Sequence, residues 1–139
     1  TFMVTFKEMD YSVGIVDFDP NTLDRLPKTG VKYYYGDAQD VEFLGELPLS
    51  KVKFVVSSIK DVETNATLVK HLRDHTNHPI IIVFAETPED AQTLYDVGCS
   101  YVVLPHFIGA ESTASFIRRV GYSKKSFNRK RDQILKEWA

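Results

Sequence analysis

The stretch Val13-Gly-Ile-Val-Asp17-Phe-Asp19-Pro20 decides the fold class, because a short apolar run ends in an acid and a second acid stands at the start of a helix signal. Asp19 before Pro20 is typical of a helix N-cap followed by a proline in the first turn. The stretch therefore predicts a strand over 12–17 that leads directly into a helix from 20 to about 26, which is the beginning of an α/β pattern.

The same alternation continues along the chain. Apolar runs predict strands over 31–35, 52–57, 79–84 and 100–104, and polar segments with helical spacing predict helices over 40–47, 61–76, 87–97 and 109–120. Runs such as Ile80-Ile-Ile-Val-Phe84 are continuously apolar, as in parallel strands that helices cover on both faces. We therefore expect a doubly wound, Rossmann-like parallel sheet. Residues 1–9 fit the end of a helix, with a strand over 1–6 as the alternative.

Composition indicates one compact domain with a tail. The chain has 139 residues, of which 43% are hydrophobic, and this is enough for a real core. Its longest apolar run, 80–85, is far shorter than a membrane span. The single cysteine, Cys99, excludes an internal disulfide and agrees with a reducing compartment. We place the domain at 1–120 and a basic, helical tail at 121–139, in which Phe127, Ile134 and Trp138 recur on one face.

Charge separates the two parts. Residues 118–139 carry a net charge of +6 and residues 1–117 a net charge of −8. An acidic domain repels the nucleic-acid backbone, so nucleic acid is not an expected partner. The basic tail is expected to be a solvated helix, and contact with anionic lipid or with an acidic partner surface is the alternative.

Four segments, in their order and spacing, resemble the RCK domain, also called KTN or TrkA-N, of the branch attached to monovalent cation:proton antiporters. These segments are 16–20, 35–38, Ser57-Ser58 with Asn65, and 98–105. The resemblance covers roughly residues 1–120. It implies a regulatory domain without enzymatic activity, on the cytoplasmic side of the cell membrane, that belongs to a larger potassium or sodium transporter. It also implies a homodimer whose partner is the transmembrane transport domain of the same protein.

Two features depart from the family pattern. The glycine turn Gly-x-Gly-x-x-Gly is absent, and counting back from Asp17 places it just before Thr1, so we expect the chain to be a fragment that lacks the first strand. That strand is central in the order 3-2-1-4-5-6. Its loss predicts a gap between the strand ending at Asp17 and the strand ending at Ser57, filled by a second chain or by the N-terminal residues. In addition, Phe84 or Ala85 stands where many relatives have an arginine.

The expected ligand is an adenine nucleotide. Asp17 ends a strand where a carboxylate matches the ribose hydroxyls and repels a 2′-phosphate, which favours NAD(H) over NADP. The resemblance implies that Asp37 binds the adenine amino group and that Ser57 and Ser58 face the nucleotide. ATP, ADP and AMP are alternatives to NAD(H), and so is an empty site in this fragment. The candidate cofactor-binding residues are Asp17, Asp19, Asp37, Ala38, Ser57 and Ser58.

Other classes of function fit less well. No nucleophile, base and acid form a catalytic series, and His71 and His75 have i, i+4 spacing but no clear third metal ligand. A phosphorylated receiver domain would need an aspartate at the end of the middle strand, where this chain has Ser57 and Ser58. A sugar-nucleotide epimerase would need a catalytic tyrosine with a lysine four residues later. A ligand-free dimerisation module and a degenerate receiver-like domain remain the alternatives.

Overall fold

The computed structural model describes residues 13–16, 33–36 and 52–138, which form strands β1 to β5 and helices α1 to α4. None of these four helices is both long and apolar enough to cross a bilayer. The elements predicted over 1–9, 20–26 and 40–47 lie outside the described residues. In chain order the elements are β1 Val13–Val16, β2 Tyr33–Gly36, β3 Phe54–Ser57, α1 Val62–His75, β4 Ile80–Phe84, α2 Pro88–Asp96, β5 Tyr101–Val103, α3 Pro105–Val120 and α4 Lys124–Trp138.

Local side-chain hydrogen bonds fix where the first two helices begin. The Asp61 carboxylate accepts the backbone N–H of Thr64 at 3.2 Å and caps α1. The Thr87 hydroxyl accepts the backbone N–H of Asp90 at 3.1 Å and caps α2. Gly98 follows α2 with a φ of +112°, a backbone conformation that favours glycine.

The five strands form one parallel sheet in the order β2-β1-β3-β4-β5. This is the 2-1-3-4-5 order of flavodoxin-like doubly wound sheets, so the predicted parallel α/β class is confirmed. The predicted gap is wrong, because β1 pairs directly with β3 from Val13 opposite Phe54 to Val16 opposite Ser57. Direct pairing gives the backbone groups on that edge of β1 hydrogen-bond partners, and no inserted strand is needed.

The contacts between residues divide the chain into two compact units, Thr1–Pro105 and His106–Ala139. The domain boundary predicted near residue 120 falls between α3 and α4, inside the second unit, and stays a prediction. The core of the first unit joins β3, β4 and β5 to α1 and α2. Its buried residues are Val52, Val55, Ile59, Leu68, Val69, Leu72, Ile81, Val83, Ala85, Ala91, Leu94, Cys99 and Val102.

Arg73, near the C-terminal end of α1, connects that helix to the segments that enter β4 and β5. Its guanidinium donates to the carbonyl oxygens of Pro79 and Gly98, both at 2.9 Å, and to the Ser100 hydroxyl at 3.0 Å. The same hydroxyl accepts the backbone N–H of Ile81 at 2.9 Å. One side chain therefore holds three segments together at the amino ends of the strands.

Strand β5, only three residues long, is the last strand of the described sheet. The backbone N–H of Val102 donates to the hydroxyl of Tyr95 at 3.0 Å. Tyr95 lies on α2, immediately before β5 in the chain, so the helix supplies a hydrogen-bond acceptor to the strand that follows it.

The second unit contains two helices joined by a short turn. Helix α3 begins at Pro105 and not at residue 109 as predicted, because proline is favoured in the first turn of a helix and Gly109 is tolerated in the interior. Gly121, with a φ of +61°, ends α3. Ser123 then caps α4 by accepting the backbone N–H of Ser126 at 3.2 Å. The prediction that the tail is helical through Trp138 is confirmed.

The cap of α1 gives a pH-dependent prediction. Hydrogen bonds from Thr64 hold the pKa of the Asp61 carboxyl below its ordinary value. Because the folded-state pKa is lowered, the cap stabilises the fold while the carboxyl is ionised, and that contribution is lost as the pH falls through the folded-state pKa. We expect Asp61→Ala to lower the Tm by about 3 °C at pH 7. The difference from the wild type should be smaller at about pH 2, well below the ordinary aspartate pKa, than at pH 7.

The matched control for this cap is Asp74→Ala. Asp74 is an exposed acid near the C-terminal end of the same helix, where a negative charge is slightly unfavourable, so its removal should not lower the Tm. Thermal unfolding followed by circular dichroism at the two pH values measures both variants. An effect of Asp61→Ala that is equal at both pH values would contradict the assigned role of the carboxylate.

Candidate functional site

The first three strands end at the same level of the sheet. Gly36 of β2 lies opposite Val16 of β1, and Val16 lies opposite Ser57 of β3. The chain passes from β1 outward to β2 and then to β3 on the other side of β1, so the strand order reverses beside β1. In open α/β sheets this reversal, at the carboxyl ends of the strands, is where ligands bind.

The residues that follow these strand ends in the sequence are Asp37, Asp17 and Ser58. The positions of Asp17, Asp19, Asp37 and Ala38 lie outside the described residues, so their predicted contacts with a nucleotide stay predictions. The described strands nevertheless end side by side, at Gly36, Val16 and Ser57, immediately before these residues in the sequence. Of the six candidate residues, Ser57 and Ser58 belong to the described part of the chain.

Ser57 is fully buried, and its hydroxyl is engaged inside the domain. It donates to the side-chain carbonyl of Asn65 at 2.7 Å and accepts the backbone N–H of Ile59 at 3.4 Å. Asn65, also fully buried, donates in turn to the carbonyl oxygen of Ile59 at 2.7 Å. The two side chains therefore form a small polar network that shapes the turn between β3 and α1.

This network changes how the motif of Ser57, Ser58 and Asn65 is interpreted. The sequence predicts Ser57 as a ligand, whereas the structure shows its hydroxyl holding the turn, and its ligand role stays a prediction. Ser58 is exposed at the carboxyl edge of the sheet. Asn65 positions this turn from within the core, and its spacing of eight residues from Ser57 was the sequence signal for it.

The N-terminus of α1 points to the same edge, but the protein fills it with its own carboxylate. A free helix N-terminus attracts anions such as phosphate. Here the Asp61 carboxylate accepts hydrogen bonds from both the backbone and the side chain of Thr64. The first turn of α1 is therefore supplied with a negative charge by the chain itself, and we do not place a phosphate group there.

The other reactive side chains lie apart from this edge. Cys99 is buried, and burial raises the pKa of its thiol. Its Sγ lies 3.2 Å from the carbonyl oxygen of Ile81. The rings of His71 and His75 have centroids 4.6 Å apart, and Nδ1 of His75 is 2.8 Å from the carbonyl oxygen of His71. No group of three or more potential metal ligands occurs within the described ranges.

The sheet is parallel, and its strand order reverses beside β1. This arrangement is typical of a Rossmann-like α/β domain. Comparison with known proteins gives the family. The sequence profile of the TrkA-N domain matches residues 2–105. The chain therefore belongs to the TrkA-N domain family, and the resemblance drawn from its sequence segments is confirmed.

Among curated relatives, the glutathione-regulated potassium-efflux system protein KefC of Escherichia coli O139:H28 is 29% identical over 99 residues. These residues are 71% of this chain and 16% of KefC, so the chain spans a small part of the relatives that it matches.

Two solved structures share the fold. The TrkA-N domain of inner membrane protein ybaL from Escherichia coli has a TM-score of 0.69 at 17% identity, covering 84% of this chain and 86% of that one. The Kef CTD of Shewanella denitrificans in AMP-bound form has a TM-score of 0.58 at 16% identity, covering 91% of this chain and 90% of that one. At these identities the likeness concerns the fold alone.

Proposed function

We propose that this chain is a cytoplasmic regulatory domain that senses an adenine nucleotide on behalf of a monovalent cation transporter. The observation that carries the proposal is the common end level of β2, β1 and β3 at Gly36, Val16 and Ser57. Two acids and a serine follow these ends at the place where the strand order reverses, which is the usual ligand site of such sheets. Membership of the TrkA-N family supports the same site.

In the proposed complex, Asp17 accepts hydrogen bonds from the ribose hydroxyls and Asp37 binds the adenine amino group. Asp19, Ala38 and Ser58 complete the surroundings, and Ser57 contributes by holding the turn beside them. The ligand is NAD(H) or one of ATP, ADP and AMP. The AMP-bound Kef CTD, which has the same fold, supports an adenine nucleotide.

The names of the relatives support the setting of this domain. A potassium-efflux system protein and an inner membrane protein both contain matching regions. We propose that the chain acts on the transmembrane transport part of the same protein, at the cytoplasmic side of the membrane, as a homodimer. The transported ion is potassium or sodium, and the basic tail contacts anionic lipid. The nucleotide would regulate by binding one arrangement of the two domains better than the other, without catalysis.

Thermal shift tests the nucleotide. The chain, and a form extended upstream through the expected glycine turn, are heated with NAD, NADH, ATP, ADP or AMP. A ligand that binds the native state at tenfold above its Kd stabilises by about 1.4 kcal/mol and should raise the Tm by roughly 4 °C. Asp17→Ala should abolish the shift, because the ribose loses its acceptor, whereas Asp74→Ala should retain it.

The outcomes separate the candidate functions. A shift in the extended form alone would confirm the sensor and show that the upstream turn supplies part of the site. A shift that persists at full size in Asp17→Ala would remove Asp17 from the site. If neither form responds to any of the five nucleotides, the proposal fails and a ligand-free dimerisation module is favoured.

A further inference from the structure

The last two turns of α1 carry two histidines on one face of the helix. His71 and His75 are four residues apart, and residues at this spacing are neighbours on a helix surface. The centroids of their rings are 4.6 Å apart, and the ring planes are inclined by 35°. His75 is exposed and His71 is half-buried, so solvent reaches both side chains. Two imidazoles at this spacing on a helix can bind the same metal ion.

A hydrogen bond to the helix backbone determines which ring nitrogen of His75 is free. Nδ1 of His75 lies 2.8 Å from the carbonyl oxygen of His71. A carbonyl oxygen only accepts, so Nδ1 carries the proton, and in the neutral ring Nε2 keeps its lone pair. Histidines that bind metals commonly donate their other N–H to a backbone carbonyl in this way. His75 is therefore held in the tautomer that a metal ligand needs.

The electrostatic surroundings favour a cation at this place. His75 is the last residue of α1, and the C-terminal end of a helix carries a partial negative charge. Asp74, which is exposed, adds a carboxylate on the same turn. The nearby cations on this helix are Lys70, which is exposed, and Arg73. The Arg73 guanidinium is held by its hydrogen bonds to the segments that enter β4 and β5.

We propose that His71 and His75 bind one divalent transition-metal ion, with an imidazole nitrogen of each as ligands and water in the remaining positions. Imidazole suits Zn²⁺, Cu²⁺ and Ni²⁺, whereas Mg²⁺ and Ca²⁺ prefer oxygen ligands. The pair lies at the end of α1 that precedes β4, whereas the proposed nucleotide site lies at the carboxyl ends of the strands. The metal site therefore does not depend on the nucleotide proposal.

Isothermal titration calorimetry of the full chain, free of a polyhistidine tag and of nucleotide, tests the site with ZnCl₂ or NiCl₂ at neutral pH. We expect one ion to bind per chain, and we expect no binding of Mg²⁺ or Ca²⁺ at the same concentrations. His71→Ala and His75→Ala each leave a single ligand. Each should weaken binding at least about tenfold, because even losing a residue that only orients a ligand weakens metal binding about 10–100-fold.

The other two of the four histidines provide matched controls. His78 lies beyond the end of α1, His106 lies in α3, and both are exposed. His78→Ala and His106→Ala should bind zinc as the wild type does. Circular dichroism establishes that each variant is folded. His75→Ala, at an exposed position, keeps the test decisive if His71→Ala does not fold.

A second measurement tests the tautomer of His75. Long-range ¹H–¹⁵N NMR spectra of the metal-free chain should show the neutral ring with its proton on Nδ1. Addition of Zn²⁺ should shift the ¹⁵N resonances of both the His71 and the His75 ring. A proton found on Nε2 of His75 in the metal-free chain would overturn the proposal.

Three results of the titration would also overturn it. The first is binding that is unchanged in both His71→Ala and His75→Ala. The second is an equal loss in His78→Ala, which would mean that the ion binds exposed histidines in general. The third is one ion for every two chains, which would place the site between two copies. Because no nucleotide is present, failure of the metal site leaves the nucleotide proposal standing, and the reverse also holds.

Discussion

Replacement of Asn65 by leucine is expected to lower the free energy of unfolding by about 2–4 kcal/mol. Leucine branches at Cγ as asparagine does and is larger, so the substitution leaves no cavity at position 65. The Ser57 hydroxyl and the Ile59 carbonyl oxygen, however, lose their 2.7 Å partners in a fully buried place. An unsatisfied buried polar group costs about 1–3 kcal/mol, and two are left here.

Urea denaturation measures this effect through the midpoint at an unchanged m-value. The control is Asn77→Leu, at an exposed position after the same helix, where the change should stay within about 0.5 kcal/mol. The double variant Ser57→Ala/Asn65→Leu should be less destabilised than the sum of its single variants, because both remove the same hydrogen bond. A loss below about 1 kcal/mol in Asn65→Leu would show that the network contributes little.

The same variant connects stability to function. The Ser57–Asn65 network shapes the turn that carries Ser58 to the carboxyl edge of the sheet, where we place the nucleotide. In Asn65→Leu, nucleotide should raise the Tm by less than it raises the Tm of the wild type. A full shift in this variant would mean that the turn takes no part in binding.

Replacement of Gly98 by alanine is expected to lower the free energy of unfolding by about 2–4 kcal/mol. The φ of +112° is a conformation that residues with a Cβ rarely adopt. A Cβ there would also lie 2.8 Å from Cγ of Arg73. Arg73 cannot move aside freely, because its guanidinium is held by Pro79, Gly98 and Ser100.

Two other glycines distinguish the effect of backbone strain from the effect of a steric clash with Arg73. A Cβ at Gly121, whose φ is +61°, or at Gly109 would meet nothing within 4 Å. Gly121→Ala should therefore cost about 1 kcal/mol from its backbone alone. Gly109→Ala, inside α3, should stabilise by about 0.5–1 kcal/mol. If Gly98→Ala lowers the free energy of unfolding in urea no more than Gly121→Ala does, the clash with Arg73 does not contribute to the destabilisation.

The elements of the fold follow from local sequence. Apolar runs located β3, β4 and β5, and Thr87 with Pro88 and Gly98 located both ends of α2, because these signals act within a few residues. The helix predicted from residue 109 begins at Pro105, four residues earlier, because proline is favoured in the first turn of a helix.

The order of the strands in the sheet is harder to predict from the sequence. The pairing of β1 with β3 joins segments about forty residues apart in the sequence. No local sequence pattern determines whether these two strands pair directly or leave a gap for another strand. The threefold contact of Arg73 had no sequence signal, because an arginine near the end of a helix is usually solvated. Asn65 was marked by the motif, but its burial and partners required the structure.

The hydrogen bond that the Tyr95 hydroxyl accepts from Val102 affects how readily this domain can aggregate with other chains. An outer strand with free N–H groups is a template on which a foreign strand can add, and such addition begins many aggregates. In the described sheet the last strand, β5, is three residues long, and the N–H of Val102 is already bound by the preceding helix. The domain can therefore be held at high local concentration, as two copies in one assembly would be, without offering this N–H to a neighbouring chain.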